Sequence, residues 1–205
     1  MQPNVVYDAE FLSDKESEQV YSWIMDNVQW TQVQYNKYNK IIKTPRLTTC
    51  FGFHIDDIPQ EYEGYNPEAI PSYLMRLKDK VEKATGSDYN YILMSYYRDG
   101  NDSISYHSDD ERFLGKNPVI ASLSLGQERR FLLKHKDTGE RHTYQLENGS
   151  LMIMQGNTQH DWLHSIPKTK KKMMPRINIT FRKMKIPYGS KNYYHYNRGV
   201  LVEKS

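Results

Sequence analysis

Hydrophobic positions along the chain follow a helical period at first and a strand period from about residue 89 onward. Ser13-Asp14-Lys15-Glu16 has capping-box form, and Val20, Trp23, Ile24 and Val28 recur on one helical face, which predicts a helix from Asp14 to Val28. Residues 30–58 mix β-branched, aromatic and polar side chains with Asn-Lys pairs, the pattern of short strands joined by exposed loops. A second helix is predicted to open at Asn66-Pro67-Glu68, with Pro at its first position, Ile70, Leu74, Leu77 and Val81 as its apolar stripe, and Gly86 as its stop. Short apolar or alternating runs then follow at 89–97, 119–125, 130–134, 143–146, 151–154 and 177–182. Asp99-Gly100, Gly126, Thr138-Gly139 and Asn148-Gly149 punctuate them. Helices followed by strands predict an α+β, mainly β fold: a β-sandwich or jelly roll with the helices packed on one side. With no internal repeat or low-complexity linker, one domain over 1–205 is expected, with a helical part over about 1–88, a strand core over about 89–184 and a polar, Tyr-rich tail over 185–205.

Composition narrows the class. The 205 residues are enough for one sizeable core, and 17 Tyr supply large side chains to a chain that is only 38% hydrophobic. The single cysteine, Cys50, excludes an internal disulfide framework and points to a reduced, intracellular compartment, nucleus or cytoplasm left open. The N-terminus lacks a basic region followed by an apolar run, and no 18 consecutive residues are apolar, so neither secretion nor a membrane partner is expected. Nothing suggests a dimer seam, and a monomer is expected. A net charge of +3 is too small to argue for nucleic acid.

Candidate chemistry centres on Tyr91–Phe113, YILMSYYRDGNDSISYHSDDERF. His107 and Asp109 flank Ser108, and in extended backbone they project to one face. A second His would complete a two-His, one-carboxylate set with open positions, the ligand set of non-haem Fe(II) oxygenases. His160 and His164, in QHDWLHS, both qualify. Further on, Arg176, Asn178, Thr180 and Arg182 alternate with Ile177, Ile179 and Phe181, so a strand would show all four polar residues on one face. Two inward arginines imply an anionic partner, and a dicarboxylate that chelates the metal at one end would satisfy them.

H-x-D, a distal His and R-x-N-x-T-x-R, in that order, resemble the AlkB family of Fe(II)/2-oxoglutarate dioxygenases, which remove alkyl groups from nucleic-acid bases. The resemblance runs from Tyr38 to Met184 and is closest to the eukaryotic DNA-repair branch, through YYRDGNDSISYHSDDE, ASLSLG, KHKD at 134–137 and PRINITFRK. It implies a double-stranded β-helix core with a substrate lid among the N-terminal residues. His107 and Asp109 would be iron ligands, and His164 the third, because the family places that His twelve residues before the first Arg of its run. Arg176 and Arg182 would grip the carboxylates of 2-oxoglutarate, with Asn178 and Thr180 on their face and Tyr97 hydrogen-bonding the cosubstrate. Ser95 stands where the family usually has Asn, which puts cosubstrate affinity in question. Asp110 resembles the residue that contacts the exocyclic group of the base. Tyr38 falls at an aromatic finger that wedges into the duplex, followed by Asn39 and Lys40; Arg46 belongs to a Pro-Arg pair of the lid, and Phe51 would pack on the flipped base.

The resemblance therefore implies Fe(II), 2-oxoglutarate and dioxygen, and oxidative demethylation of 1-methyladenine and 3-methylcytosine in DNA. The same chemistry on methylated RNA or on a protein side chain is the alternative. The lid content (Tyr35, Lys37, Tyr38, Lys40, Lys43, Arg46) favours nucleic acid over protein without choosing between DNA and RNA. His54, His135, His142 and His195 have no partner at metal spacing and read as structural or exposed. Lys168-Thr169-Lys170-Lys171-Lys172 reads either as a solvated loop or as a phosphate grip beside the site.

Overall fold

A computed structural model describes residues 2–37, 40–52, 68–110, 114–184, 194–197 and 200–203. Its strands are β1 (Val5–Asp8), β2 (Gln34–Lys37), β3 (Lys40–Lys43), β4 (Leu47–Gly52), β5 (Glu68–Ala69), β6 (Tyr91–Tyr97), β7 (Ile104–His107), β8 (Ile120–Gly126), β9 (Arg129–His135), β10 (Arg141–Leu146), β11 (Leu151–Met154), β12 (Trp162–Ile166), β13 (Arg176–Arg182), β14 (Tyr194–Asn197) and β15 (Val200–Glu203). Helices are α1 (Asp14–Asn27), α2 (Ser72–Thr85) and the single turn α3 (Thr158–Asp161).

Helix α1 starts as its sequence predicts: the Ser13 hydroxyl accepts from the Glu16 N–H, and the Glu16 carboxylate accepts from the Ser13 N–H at 2.9 Å. Helix α2 begins at Ser72, after the start expected at Asn66; Asn66 and Pro67 themselves lie outside the described residues. Pro71 sets that boundary, because inside a helix it would lack an N–H and clash with the carbonyl four residues back. Glu68–Ala69 pairs in parallel with Phe51–Gly52 instead. Gly86 closes α2 in the left-handed conformation at φ 64°, as expected.

Two sheets face each other. The larger has the order β1-β11-β8-β13-β6-β4-β5, and the smaller β10-β9-β12-β7. Alternation along β13 decides what lies on each side. Ile177, Ile179 and Phe181 are fully buried with Ile92, Met94, Leu123 and Leu125 against Ile24 of α1 and Leu74 and Val81 of α2. The opposite side of the same strands looks at the smaller sheet across a second core, in which Ile120, Met152 and Met154 meet Phe131, Leu133, Trp162 and Ile166. Helices on one face and a jelly-roll interior on the other is the expected α+β arrangement.

Several elements, β5 and α3 among them, were not anticipated. Strand β1 pairs antiparallel with β11, β7 pairs with β12, and the tail contributes a β14–β15 hairpin that lies against β2.

Candidate active site

The register of β7 and β12 builds the first half of the site. His164 pairs directly with His107, and the two rings lie 4.2 Å apart. Asp109, just past the end of β7, brings one carboxylate oxygen to 3.8 Å from His107 Nε2 and the other to 3.9 Å from His164 Nε2. All three candidate ligand atoms fall within 4.8 Å of one another. His107 Nδ1 bonds the Ser105 carbonyl at 2.8 Å, which leaves the Nε2 lone pair for a metal. Burial, reinforced by His107 and Arg182, drives the His164 pKa down to about 3, so its imidazole is neutral at pH 7. Burial opposes ionisation of Asp109, but Arg182, His164, His107 and Arg46 outweigh it and hold this carboxyl below the usual carboxylate range. Arg182 Nη2 sits 3.1 Å from Asp109 Oδ2. One buried carboxylate and two imidazoles on a shared centre fit a divalent iron. His160 is excluded from that centre: its side chain is 82% exposed and bonded to Asp161 at 2.6 Å.

The second half comes from β13 and its neighbours. Arg176 is 1% exposed, donates from Nη2 to Ser124 Oγ at 2.9 Å, and lies 5.2 Å from the Tyr97 ring centre. Its Nε and Nη1 have no hydrogen-bond partner among the described residues. Burial pulls its pKa down to about 10, which still leaves a buried cation at neutral pH. Such a group calls for an anion with two acceptor atoms. Asn178 is tied to Ser122 Oγ (2.8 Å) and the Leu123 carbonyl (3.0 Å), and Thr180 to the Leu93 carbonyl (3.0 Å). Both arginines that the resemblance assigns to the cosubstrate line the site; Arg182 is also engaged with Asp109, whereas Arg176 forms no salt bridge among the described residues.

A cavity of about 90 Å³ joins the two halves. Ser95, Tyr97, Arg176, Asn178, Thr180 and Arg182 line it together with His107, Asp109 and His164. Of the expected substrate contacts, Arg46 lines the same cavity and Lys40 is exposed on β3. Asp110 is also exposed, 3.8 Å from Lys136 Nζ. Tyr38 and Asn39 lie outside the described residues. Phe51 is corrected: it pairs with Ile92 on the helix-facing side of β4, is 4% exposed and belongs to the core. The pleat that turns Arg46 inward turns Phe51, five residues on, outward.

Sequence reasoning missed Gln159. Its side-chain oxygen accepts from the Asp109 N–H at 2.9 Å, and its amide donates to Met154 Sδ at 3.4 Å, so a residue of the α3 turn fixes the Asp109 backbone. Only tertiary contact reveals that. Ser122 and Ser124 were legible in principle, since they alternate with Ala121, Leu123 and Leu125 on β8.

A family model described as the 2OG-Fe(II) oxygenase superfamily matches residues 4–182. The chain belongs to this superfamily. Membership implies Fe(II), 2-oxoglutarate and dioxygen, and the donor set around Asp109 and the open guanidinium of Arg176 fit that superfamily's needs. Among relatives, Alpha-ketoglutarate-dependent dioxygenase alkB homolog 3 of Bos taurus is 38% identical over 184 residues, 84% of this chain and 63% of the relative. DNA oxidative demethylase ALKBH2 of Bos taurus is 42% identical over 127 residues, 58% of this chain and 46% of the relative. The chain thus spans less than two thirds of the length of these relatives. The solved structure of OsALKBH1, at 19% identity and TM-score 0.66, covers 89% of this chain and 99% of its own; it shares the superfamily's fold.

Proposed function

We propose that the chain is an Fe(II)/2-oxoglutarate-dependent dioxygenase that demethylates N-alkylated bases in DNA, 1-methyladenine and 3-methylcytosine among them. One observation carries the reading. A single cavity holds His107, Asp109 and His164 together with a buried arginine, Arg176, whose Nε and Nη1 have no hydrogen-bond partner among the described residues. DNA as the polymer is supported by a relative named as a DNA oxidative demethylase.

The residues divide the work. His107, Asp109 and His164 would hold Fe(II), and both imidazoles present Nε2 to it. Arg176 receives a cosubstrate carboxylate, beside Tyr97, Asn178 and Thr180. Arg182 keeps Asp109 ionised and oriented. Iron and 2-oxoglutarate bound there would supply the oxidation by dioxygen, one oxygen atom going into the succinate left when 2-oxoglutarate loses carbon dioxide and the other hydroxylating the N-methyl carbon, which leaves as formaldehyde. Phe131, Leu146 and Ile166 line the cavity with apolar surface, which disfavours water beside the reacting groups. At the mouth, Asp110 addresses the exocyclic nitrogen of the extruded base. Tyr38 and Asn39 are assigned to the duplex, and exposed Lys40 and Lys168–Lys172 to its phosphates.

The test is formaldehyde release from oligonucleotides carrying 1-methyladenine or 3-methylcytosine, as single- and double-stranded DNA and as RNA, with Fe(II) and 2-oxoglutarate added or withheld. Release from DNA that requires both additives is the expected result. Release from RNA alone, or 2-oxoglutarate turnover with no base repaired, would refute the assignment to DNA.

A further inference from the structure

The residue that the family resemblance assigns to the lid, Arg46, sits in the cosubstrate cavity. Its position follows from backbone constraints on both sides. The Pro45 carbonyl accepts from the Ser103 N–H at 3.0 Å, and the Arg46 carbonyl accepts from Thr44 Oγ1 at 3.1 Å. Strand β4 then pairs with β6 so that Thr48 lies opposite Ser95, and Arg46, two residues earlier, falls on the same inward face. Arg46 Nε donates to Ser95 Oγ at 3.4 Å, the one hydrogen bond its guanidinium makes among the described residues. The remaining N–H groups of Arg46 are left for a ligand.

Charge gives the reason to want one. 2-Oxoglutarate is a dianion, and three arginines line the cavity: Arg46, Arg176 and Arg182. Arg182 is engaged with Asp109 at 3.1 Å, whereas Arg176 and Arg46 form no salt bridge among the described residues, Arg46 acting on Asp109 only at longer range. Ser95 occupies the position where the family usually carries an Asn, and serine is too short to replace that amide alone. A serine that steers an arginine can.

We propose that Arg46 binds the cosubstrate, with Ser95 orienting it, so that a serine–arginine pair does in this chain what a single amide does at that position of the family. The inference rests on the reading of the cavity as a 2-oxoglutarate site. It makes Arg46 a cosubstrate residue as well as part of the lid, and it joins the β2–β3 hairpin to the state of the cavity through the Thr44–Arg46 junction.

Calorimetric titration of 2-oxoglutarate into the Mn(II)-loaded full chain, without nucleic acid and without turnover, isolates this role. Arg46→Met is expected to weaken binding about 10- to 100-fold, the loss of a charge-assisted hydrogen bond to a carboxylate. Ser95→Ala should weaken it by a smaller factor, about 2- to 5-fold, since only the orienting bond is lost. Ser95→Asn restores the amide, and in that background Arg46→Met should cost less than in the wild type, a coupling read from the double-mutant cycle. Unchanged affinity in Arg46→Met, in a variant that still loads Mn(II) like the wild type, would overturn the inference and leave Arg46 as a substrate contact. Additive effects of Ser95→Asn and Arg46→Met would also overturn it. A wild-type chain that loads Mn(II) but takes no 2-oxoglutarate would overturn the functional reading itself, and this inference with it.

Discussion

At the scale of single residues, protonation and backbone contacts decide whether the His-Asp-His centre is ready for a metal. The His164 pKa is about 3 in the fold against 6.5 for the free side chain, so between those values the unfolded chain binds a proton that the native chain refuses. Stability of the metal-free protein is therefore full above pH 6.5 and is lost as pH falls below it, with a limiting slope of about 1.4 kcal/mol per pH unit. Asp109, held below its usual range, adds a loss of the same sign as pH falls through its own folded pKa. Urea midpoints of the metal-free chain from pH 7 to 4 should decline accordingly, and His164→Leu should flatten the decline. Gln159 belongs to the same scale. Gln159→Leu removes the acceptor of the buried Asp109 N–H, and Fe(II) affinity, measured by competition with a chelator, should fall about 10-fold, the effect of an outer partner of a metal ligand. The sequence reveals His107, Asp109 and His164 because ligand chemistry restricts residue type. It hides Gln159 because a polar side chain in a turn reads as ordinary until tertiary contact places it on Asp109.

Elements were legible where one face is buried and the pattern is long. Strand β13 alternates without a break over seven residues, and its partners on β8 and β6 keep the same register. Strands β1 and β7 are four residues each and only partly buried, too short for alternation to stand out. The start of α2 was misplaced because Pro67 reads as a first helical position, whereas the helix begins at Ser72 with Pro71 as its N-cap. The turn after β8 carries a prediction of its own. Gly126 has φ +82°, and a Cβ there would stand 2.6 Å from the Pro175 carbonyl oxygen, next to the strand that carries Arg176. Gly126→Ala should cost about 1–3 kcal/mol from the strained backbone, with additional cost from displacing Pro175, and weaken 2-oxoglutarate binding along with it. Thermal unfolding and cosubstrate titration on one variant check both halves of that statement.

At the scale of the whole molecule, the fold is a device for facing two sheets and leaving one lined gap between them. The larger sheet supplies Ser95, Tyr97, Arg176 and Arg182, the smaller supplies His107 and His164, and the helices support the larger sheet from behind. That division follows from non-local pairing, β13 between β6 and β8, which no window of sequence contains. Charge and composition say little at this scale, and the basic side chains of the hairpin and of Lys168–Lys172 matter through where they stand rather than through a net +3. One cavity is expected to bind iron through His107, Asp109 and His164 and to take 2-oxoglutarate beside it. Anaerobic titration of the metal-free chain with Fe(II) and then 2-oxoglutarate, followed by the visible charge-transfer absorption of the iron–cosubstrate complex, tests this most directly. The absorption should appear at one iron per chain in the wild type and in His160→Ala, and vanish in His164→Ala. Its persistence in His164→Ala, or its absence from the wild type, would contradict the account.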